Sequence, residues 1–116
     1  MYYKSTRDSS VNKTSAEAIV QGISVDGGLF VPSEIPSISM DEIVKLGDMS
    51  YAERAAYIFS KYLTDFTDVE IKYCTENAYN DKKFATENIS EISTIQVGKY
   101  EVSRCQYDMY GMTQTC

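Results

Sequence analysis

The chain reads as a small α+β domain, mainly helical, with about four helices and a short two- to three-stranded antiparallel sheet. Three observations predict this. Ser/Thr-x-x-Glu occurs four times, as Thr14-Ser15-Ala16-Glu17, Ser39-Met40-Asp41-Glu42, Ser50-Tyr51-Ala52-Glu53 and Thr67-Asp68-Val69-Glu70. In each, the hydroxyl would accept from the third helical amide while the glutamate reaches back to the amide of the cap. Apolar residues then recur at helical spacing after these starts, and a glycine turn separates a short helix from a β-prone run. With 116 residues there is room for one compact domain. Hydrophobic residues at 43% and charged residues at 24% are ordinary globular proportions, which excludes wholesale disorder.

The tyrosines and threonine of residues 2–6 predict a strand, and residues 8–14 a polar loop. A short helix follows over residues 15–21, with Gly22 suited to the positive φ that commonly ends a helix. Asp26-Gly27-Gly28 supplies a tight turn. Leu29-Phe30-Val31 then reads as a strand, the natural partner of residues 2–6, and Pro32 with Pro36 closes it.

A second helix over residues 40–46 would present Met40, Ile43, Val44 and Leu46 inward and stop at Gly47. The third, over residues 51–63, carries Tyr51, Ala55, Ile58, Phe59 and Tyr62 on one face. The fourth, over residues 68–79, places Ile71, Cys74, Ala78 and Val69 on one side, so Cys74 reads as a small core residue. Phe84 and Ala85 would dock on the helices. Residues 88–95 mix apolar and polar positions without strict alternation. Gly98-Lys99 reads as a turn, with a third strand over residues 100–102. Residues 103–116 show no period and are expected to form a poorly ordered tail. The domain is therefore drawn over residues 1–102 and the tail over 103–116.

Eleven Lys and Arg against seventeen Asp and Glu give a formal charge of −6, and no basic cluster reverses it locally, so nucleic acid is not an expected partner. The ten tyrosines are better read as half-buried rings with wet hydroxyls than as a base-stacking platform. Three scattered cysteines and no histidine make a zinc site unexpected. No apolar run approaches the ~20 residues of a membrane span, and the amino terminus lacks a signal peptide's apolar stretch, so a cytoplasmic protein without a membrane partner is expected. Without histidine, a Ser or Cys nucleophile would need a Lys or carboxylate partner, and no such arrangement is recognisable. The four cap glutamates read as structure rather than as catalysts.

The segment from residue 15 to 36 carries a family resemblance: a Ser-x-x-Ala-Ile helix, Gly22-Ile23, then Asp26-Gly27-Gly28-Leu29-Phe30-Val31-Pro32 and Ile35-Pro36. With Tyr2-Tyr3-Lys4-Ser5-Thr6-Arg7 before it, and Tyr51-x-Glu53-x-Ala55 and Leu63-Thr64-Asp65 after it, this block resembles the amino terminus of threonine synthases. The likeness runs over residues 2–102. It implies a small amino-terminal domain that precedes two larger α/β domains holding pyridoxal phosphate, in lyases that convert O-phosphohomoserine to threonine plus phosphate. In that family a strand of the form Leu-Glu-Leu-Phe/Trp-His-Gly-Pro-Thr-x-Ala-Phe-Lys-Asp follows almost directly, and its lysine forms the Schiff base with the coenzyme.

After Tyr100-Glu101-Val102 this chain reads instead Ser103-Arg104-Cys105-Gln106-Tyr107-Asp108-Met109-Tyr110-Gly111-Met112-Thr113-Gln114-Thr115-Cys116. None of its lysines matches the family's tether, so the resemblance assigns no catalytic residue, no cofactor-binding residue and no metal ligand here. The coenzyme belongs to the full-length family and is not expected in this chain, whose partners would be the remaining coenzyme-binding domains. A truncated or frame-disrupted gene would explain the switch. The other reading frames beyond the Val102 codon test that, and absence of the lysine motif from both would refute frame disruption. The alternative reading is a non-catalytic interaction module that docks on a partner chain.

Overall fold

A computed structural model describes residues 1–84, 89–109 and 112–115. Its elements run β1 (Tyr3–Ser5), α1 (Ser15–Gln21), β2 (Phe30–Pro32), α2 (Met40–Gly47), α3 (Tyr51–Tyr62), α4 (Asp68–Ala78), β3 (Ser90–Val97), β4 (Tyr100–Met109) and β5 (Met112–Thr115). The α+β class read from the sequence is the class observed. The chain divides into two compact units, Met1–Thr75 and Glu76–Cys116.

In the first unit β1 pairs antiparallel with β2 in the register Tyr3↔Pro32, Lys4↔Val31, Ser5↔Phe30. The second strand thus starts one residue later than the sequence suggests. The Leu29 amide donates to the Thr6 hydroxyl at 3.0 Å, and Leu29 bridges Ile23 instead. All four reciprocal caps form. The amides of Thr14, Ser39, Ser50 and Thr67 donate to Glu17, Glu42, Glu53 and Glu70 at 2.7–2.9 Å, and each glutamate's own amide donates back to the cap hydroxyl at 3.3 Å. Gly22 closes α1 at φ 74°, its amide donating to the Ala18 carbonyl at 2.9 Å.

The core is thin. Among the described residues the buried apolar side chains are Ala18, Ile71 and Phe84, beside buried Ser5, Ser15, Ser24 and Thr75. The expected face of α3 (Tyr51, Ala55, Ile58, Phe59, Tyr62) is half-buried throughout. Two expectations about helix faces are corrected. On α2, Met40, Ile43 and Val44 are exposed rather than inward, because the side of α2 fastened to α3 is its polar side. On α4 the buried positions are Ile71 and Thr75, while Cys74 is exposed and Val69 is 78% exposed. Thr75 tolerates burial because its hydroxyl donates to the Lys72 carbonyl at 3.1 Å.

In the second unit the Phe84 ring stacks on Tyr79 with centroids 6.0 Å apart. Ala85 and Asn88 lie outside the described residues. β3 and β4 form a hairpin closed by the pair Val97↔Tyr100 around Gly98 (φ 62°) and Lys99, the turn read from the sequence. β4 starts at residue 100 as expected, runs on to Met109 and pairs with β5, giving the order β3-β4-β5. No helix among the described residues is long and apolar enough to cross a membrane.

Candidate functional site

The motif that dominates the sequence folds into a knot around Asp26. The buried Ser5 hydroxyl lies 2.8 Å from each Asp26 carboxylate oxygen and donates to them. The Gly28 amide donates to Asp26 Oδ1 at 2.8 Å, and Arg7 Nη1 donates to the Asp26 carbonyl at 3.0 Å. The Gly28 amide is the main reason the Asp26 carboxyl sits below its ordinary 3.8; the Ser5 and Ser24 hydroxyls and the Arg7 charge outweigh, with it, the opposing effect of desolvation. Both glycines have a physical reason. Gly27 takes φ 75°, and a Cβ on Gly28 would stand 2.1 Å from Ser5 Oγ and 3.1 Å from the Arg7 amide nitrogen. The knot joins the end of β1 to the entry of β2.

A second carboxylate, Asp65, ties the turn after α3 to the start of α1. It accepts from the Ser15 hydroxyl and, at 2.9 Å, from the Ala16 amide. Desolvation pushes its carboxyl up, but the Ala16 amide first, then its own amide, the Thr14 hydroxyl and the Ser15 amide, hold it below 3.8. Tyr3 extends the same tie by donating to the Tyr62 carbonyl at 3.2 Å. A third, Glu42, accepts from the Tyr57 hydroxyl at 2.5 Å and from Lys61 Nζ at 3.1 Å while still capping α2. Tyr57 first, then the Ser39 amide and hydroxyl, then Lys61, hold its carboxyl well below the usual carboxylate range. Arg54 clasps the other end of α2, its Nε and Nη2 donating to the carbonyls of Leu46 (2.7 Å) and Gly47 (3.0 Å). The Asp65 tie joins residues about fifty positions apart and had no local signal, whereas Arg54 lies seven and eight positions beyond the carbonyls it clasps and only its suitability for a helix C-terminus could have pointed to it.

Lys61 and the four helix starts are poorly suited to the coenzyme that the resemblance implies. A Schiff-base lysine must shed its proton readily, and a phosphate wants free amides at a helix start. Lys61 is held protonated above 10.5 by the Tyr57 hydroxyl and Glu42. Each of the four helix starts is filled by its own glutamate, and that of α1 also by Asp65, so a phosphate would meet negative charge there. An open groove of about 370 Å³, lined by Tyr3, Ala18, Ile19, Leu29, Phe30 and Leu63 among others, has no lysine in its wall. Among the described residues no group of three His, Cys, Asp or Glu gathers as a metal centre.

What the surface offers instead is apolar. Ile19, Ile23 and Leu29 are each about 60% exposed around the groove side of the Ile23–Leu29 bridge, and Ile35, Met40, Ile43 and Val44 are exposed further along the first unit. Asp26, Asp65 and Glu42 are thus spent on internal ties, while these apolar side chains stand at the surface.

The profile described as "Threonine synthase N terminus" matches residues 2–79. The chain belongs to the family of threonine synthase amino-terminal domains. It is 36% identical over 80 residues to the threonine synthase of Schizosaccharomyces pombe, covering 67% of this chain and 16% of that one. It is 30% identical over 105 residues to that of Corynebacterium glutamicum, covering 86% and 22%. Human threonine synthase-like 1 is 32% identical over 83 residues, covering 69% and 11%. The chain thus spans less than a quarter of the length of each of these relatives.

Proposed function

We propose that this chain supplies the amino-terminal framework domain of a threonine synthase, the pyridoxal phosphate-dependent lyase of threonine biosynthesis that turns O-phosphohomoserine into threonine plus phosphate. On this reading residues 2–102 are scaffold, and the coenzyme and its lysine belong to the domains that follow in full-length relatives. A cytoplasmic location goes with it. The observation that carries the reading is that Asp26, Asp65 and the four cap glutamates are each committed to hydrogen bonds that hold the framework, within the segment matched by the family. The test is direct. Purified chain mixed with pyridoxal phosphate should give no stoichiometric adduct fixed by borohydride and should release no phosphate from O-phosphohomoserine. Turnover by the purified chain would refute the reading.

A second reading, a non-catalytic module that docks on a partner chain, draws on the exposed Ile19, Ile23 and Leu29. Sedimentation with and without an intact threonine synthase tests it, and an unchanged mass counts against it.

A further inference from the structure

Helix α2 is turned inside out. Its polar side is the fastened one: Glu42 takes the Tyr57 hydroxyl and Lys61, and Arg54 holds the Leu46 and Gly47 carbonyls. Met40, Ile43 and Val44, at i, i+3 and i+4, then form one continuous stripe, 74%, 50% and 69% exposed. With about 100° between successive residues, Met40 and Val44 lie opposite Glu42. An ordinary surface helix packs the other way round, stripe inward and charges outward. Here four specific hydrogen bonds hold the apolar side away from the helix's own neighbour.

We propose that this stripe is the seat for the part of a threonine synthase chain that lies beyond the matched segment, and that the Glu42 and Arg54 ties exist to present it. The inference rests on the framework reading above and adds to it the surface. The occupant follows from three observations. The chain spans 16% and 22% of the S. pombe and C. glutamicum relatives, so most of such a protein lies outside the segment and is available to cover an open face. The chain's own charge of −6 opposes covering the stripe with a second copy. Asp41 and Asp48, exposed and seven residues apart, fall on the same margin of the stripe beside Val44, and with the exposed Lys45 on their far side that margin keeps a net charge of −1. The occupant therefore presents an apolar centre with a Lys or Arg set against that acidic edge.

Thiol labelling tests this. Val44→Cys, with Ser9→Cys as an exposed control outside α2, is made in two proteins. One is the 116-residue chain; the other is a full-length C. glutamicum threonine synthase carrying residues 2–79 of this chain in place of its matching segment. Maleimide uptake is read at each position by peptide mass. In the full-length protein the thiol of Val44→Cys should react slower by about tenfold or more, as a site sealed in an interface does, while Ser9→Cys reacts alike in both. Equal rates for Val44→Cys overturn the docking, whether or not the full-length protein makes threonine. Threonine formation reads the framework assignment separately: a protected but inactive protein sinks that assignment and leaves the seat standing. If the full-length protein does not fold, the free chain decides. The double variant Ile43→Gln/Val44→Gln should melt within about 3 °C of the parent and bind less apolar dye, since surface changes leave stability nearly untouched. A larger drop overturns the proposal, because the stripe would then belong to the chain's own core.

Discussion

Asp26 and Glu42 are both carboxylates held below their ordinary range, each by a backbone amide and a serine hydroxyl, but they differ in what else grips them. Asp26 is gripped by a backbone amide, a buried serine and two glycines that leave no room for anything else. Glu42, beyond the Ser39 amide and hydroxyl of its own cap, is gripped by the ends of two long side chains of α3, and the ion pair is part-exposed, its side chains 24% (Lys61) and 36% (Glu42) accessible. The first arrangement fixes a chain path; the second fixes which way a helix is turned. Rigid contacts made of backbone do not adapt, whereas contacts between side-chain tips hold an orientation and can still give.

The sharpest way to break the knot is Gly28→Ala. The new Cβ would stand 2.1 Å from Ser5 Oγ, and Ser5 is 5% exposed and committed to Asp26, so it has nowhere to move. A urea melt should show a loss of roughly 3 kcal/mol, the upper range for overpacking. Removing the obstructing hydroxyl should return part of it: Ser5→Ala in the Gly28→Ala background should cost less than Ser5→Ala alone. Additive losses would show that the clash is relieved elsewhere. No single change at the Glu42 tie should approach this size. Ser39→Ala, which removes the hydroxyl cap of α2, should cost about 1 kcal/mol.

Titration separates the two regions further. Asp26 lies below its ordinary 3.8 in the folded chain, so its contribution is complete above that value and is lost as pH falls through the folded value. Glu42 behaves the same way below 4.5. Lys61 is raised above 10.5, so its share is complete below 10.5 and is lost as pH rises through the folded value. The knot therefore has an acid edge alone, and the α2–α3 tie has an acid and an alkaline edge. Denaturant melts across pH should show Lys61→Met reducing the alkaline loss to the share of Tyr3, whose hydroxyl burial and Asp65 hold above its ordinary 10.0, and leaving the Asp26 part of the acid loss in place. At about 1 M salt, where screening reaches roughly 3 Å, the penalty of Lys61→Met should shrink while that of Gly28→Ala stays.

What the sequence showed and what it hid follow the same division. The helix starts were legible because a capping box closes within four residues, and all four form. The turn at Asp26 was legible because two adjacent glycines have few other uses, and the hairpin at Gly98 because its turn also sits between apolar runs. The faces of α2 were not legible. Periodicity says that Met40, Ile43 and Val44 share a side, but which side faces in is set by Tyr57 and Lys61, 15 and 19 positions away from Glu42. On α4 the apolar rule chose Cys74, whereas burial fell on Thr75, whose hydroxyl finds a carbonyl within its own helix. A hydroxyl that can satisfy itself locally counts as apolar for packing, and composition alone does not reveal it.

The smallest effect tests the comparison from the other side. Gly47 was read as the residue that stops α2, yet it is the last residue of the helix; Asp48 follows as the cap in a right-handed helical conformation. Gly47 needs no positive φ, and a Cβ there would meet nothing within 4 Å. Nothing local requires a glycine, so Gly47→Ala should raise stability by about 0.5 kcal/mol, because alanine has less unfolded-state freedom to lose. Differential scanning calorimetry of the free chain would show it as a small upward shift in the melting temperature. Gly28→Ala and Gly47→Ala are the same chemical change with opposite expected signs. A fall at Gly47 would mean that the Arg54 clasp on the Gly47 carbonyl depends on backbone freedom, and the α2 tie would then be as rigid as the knot.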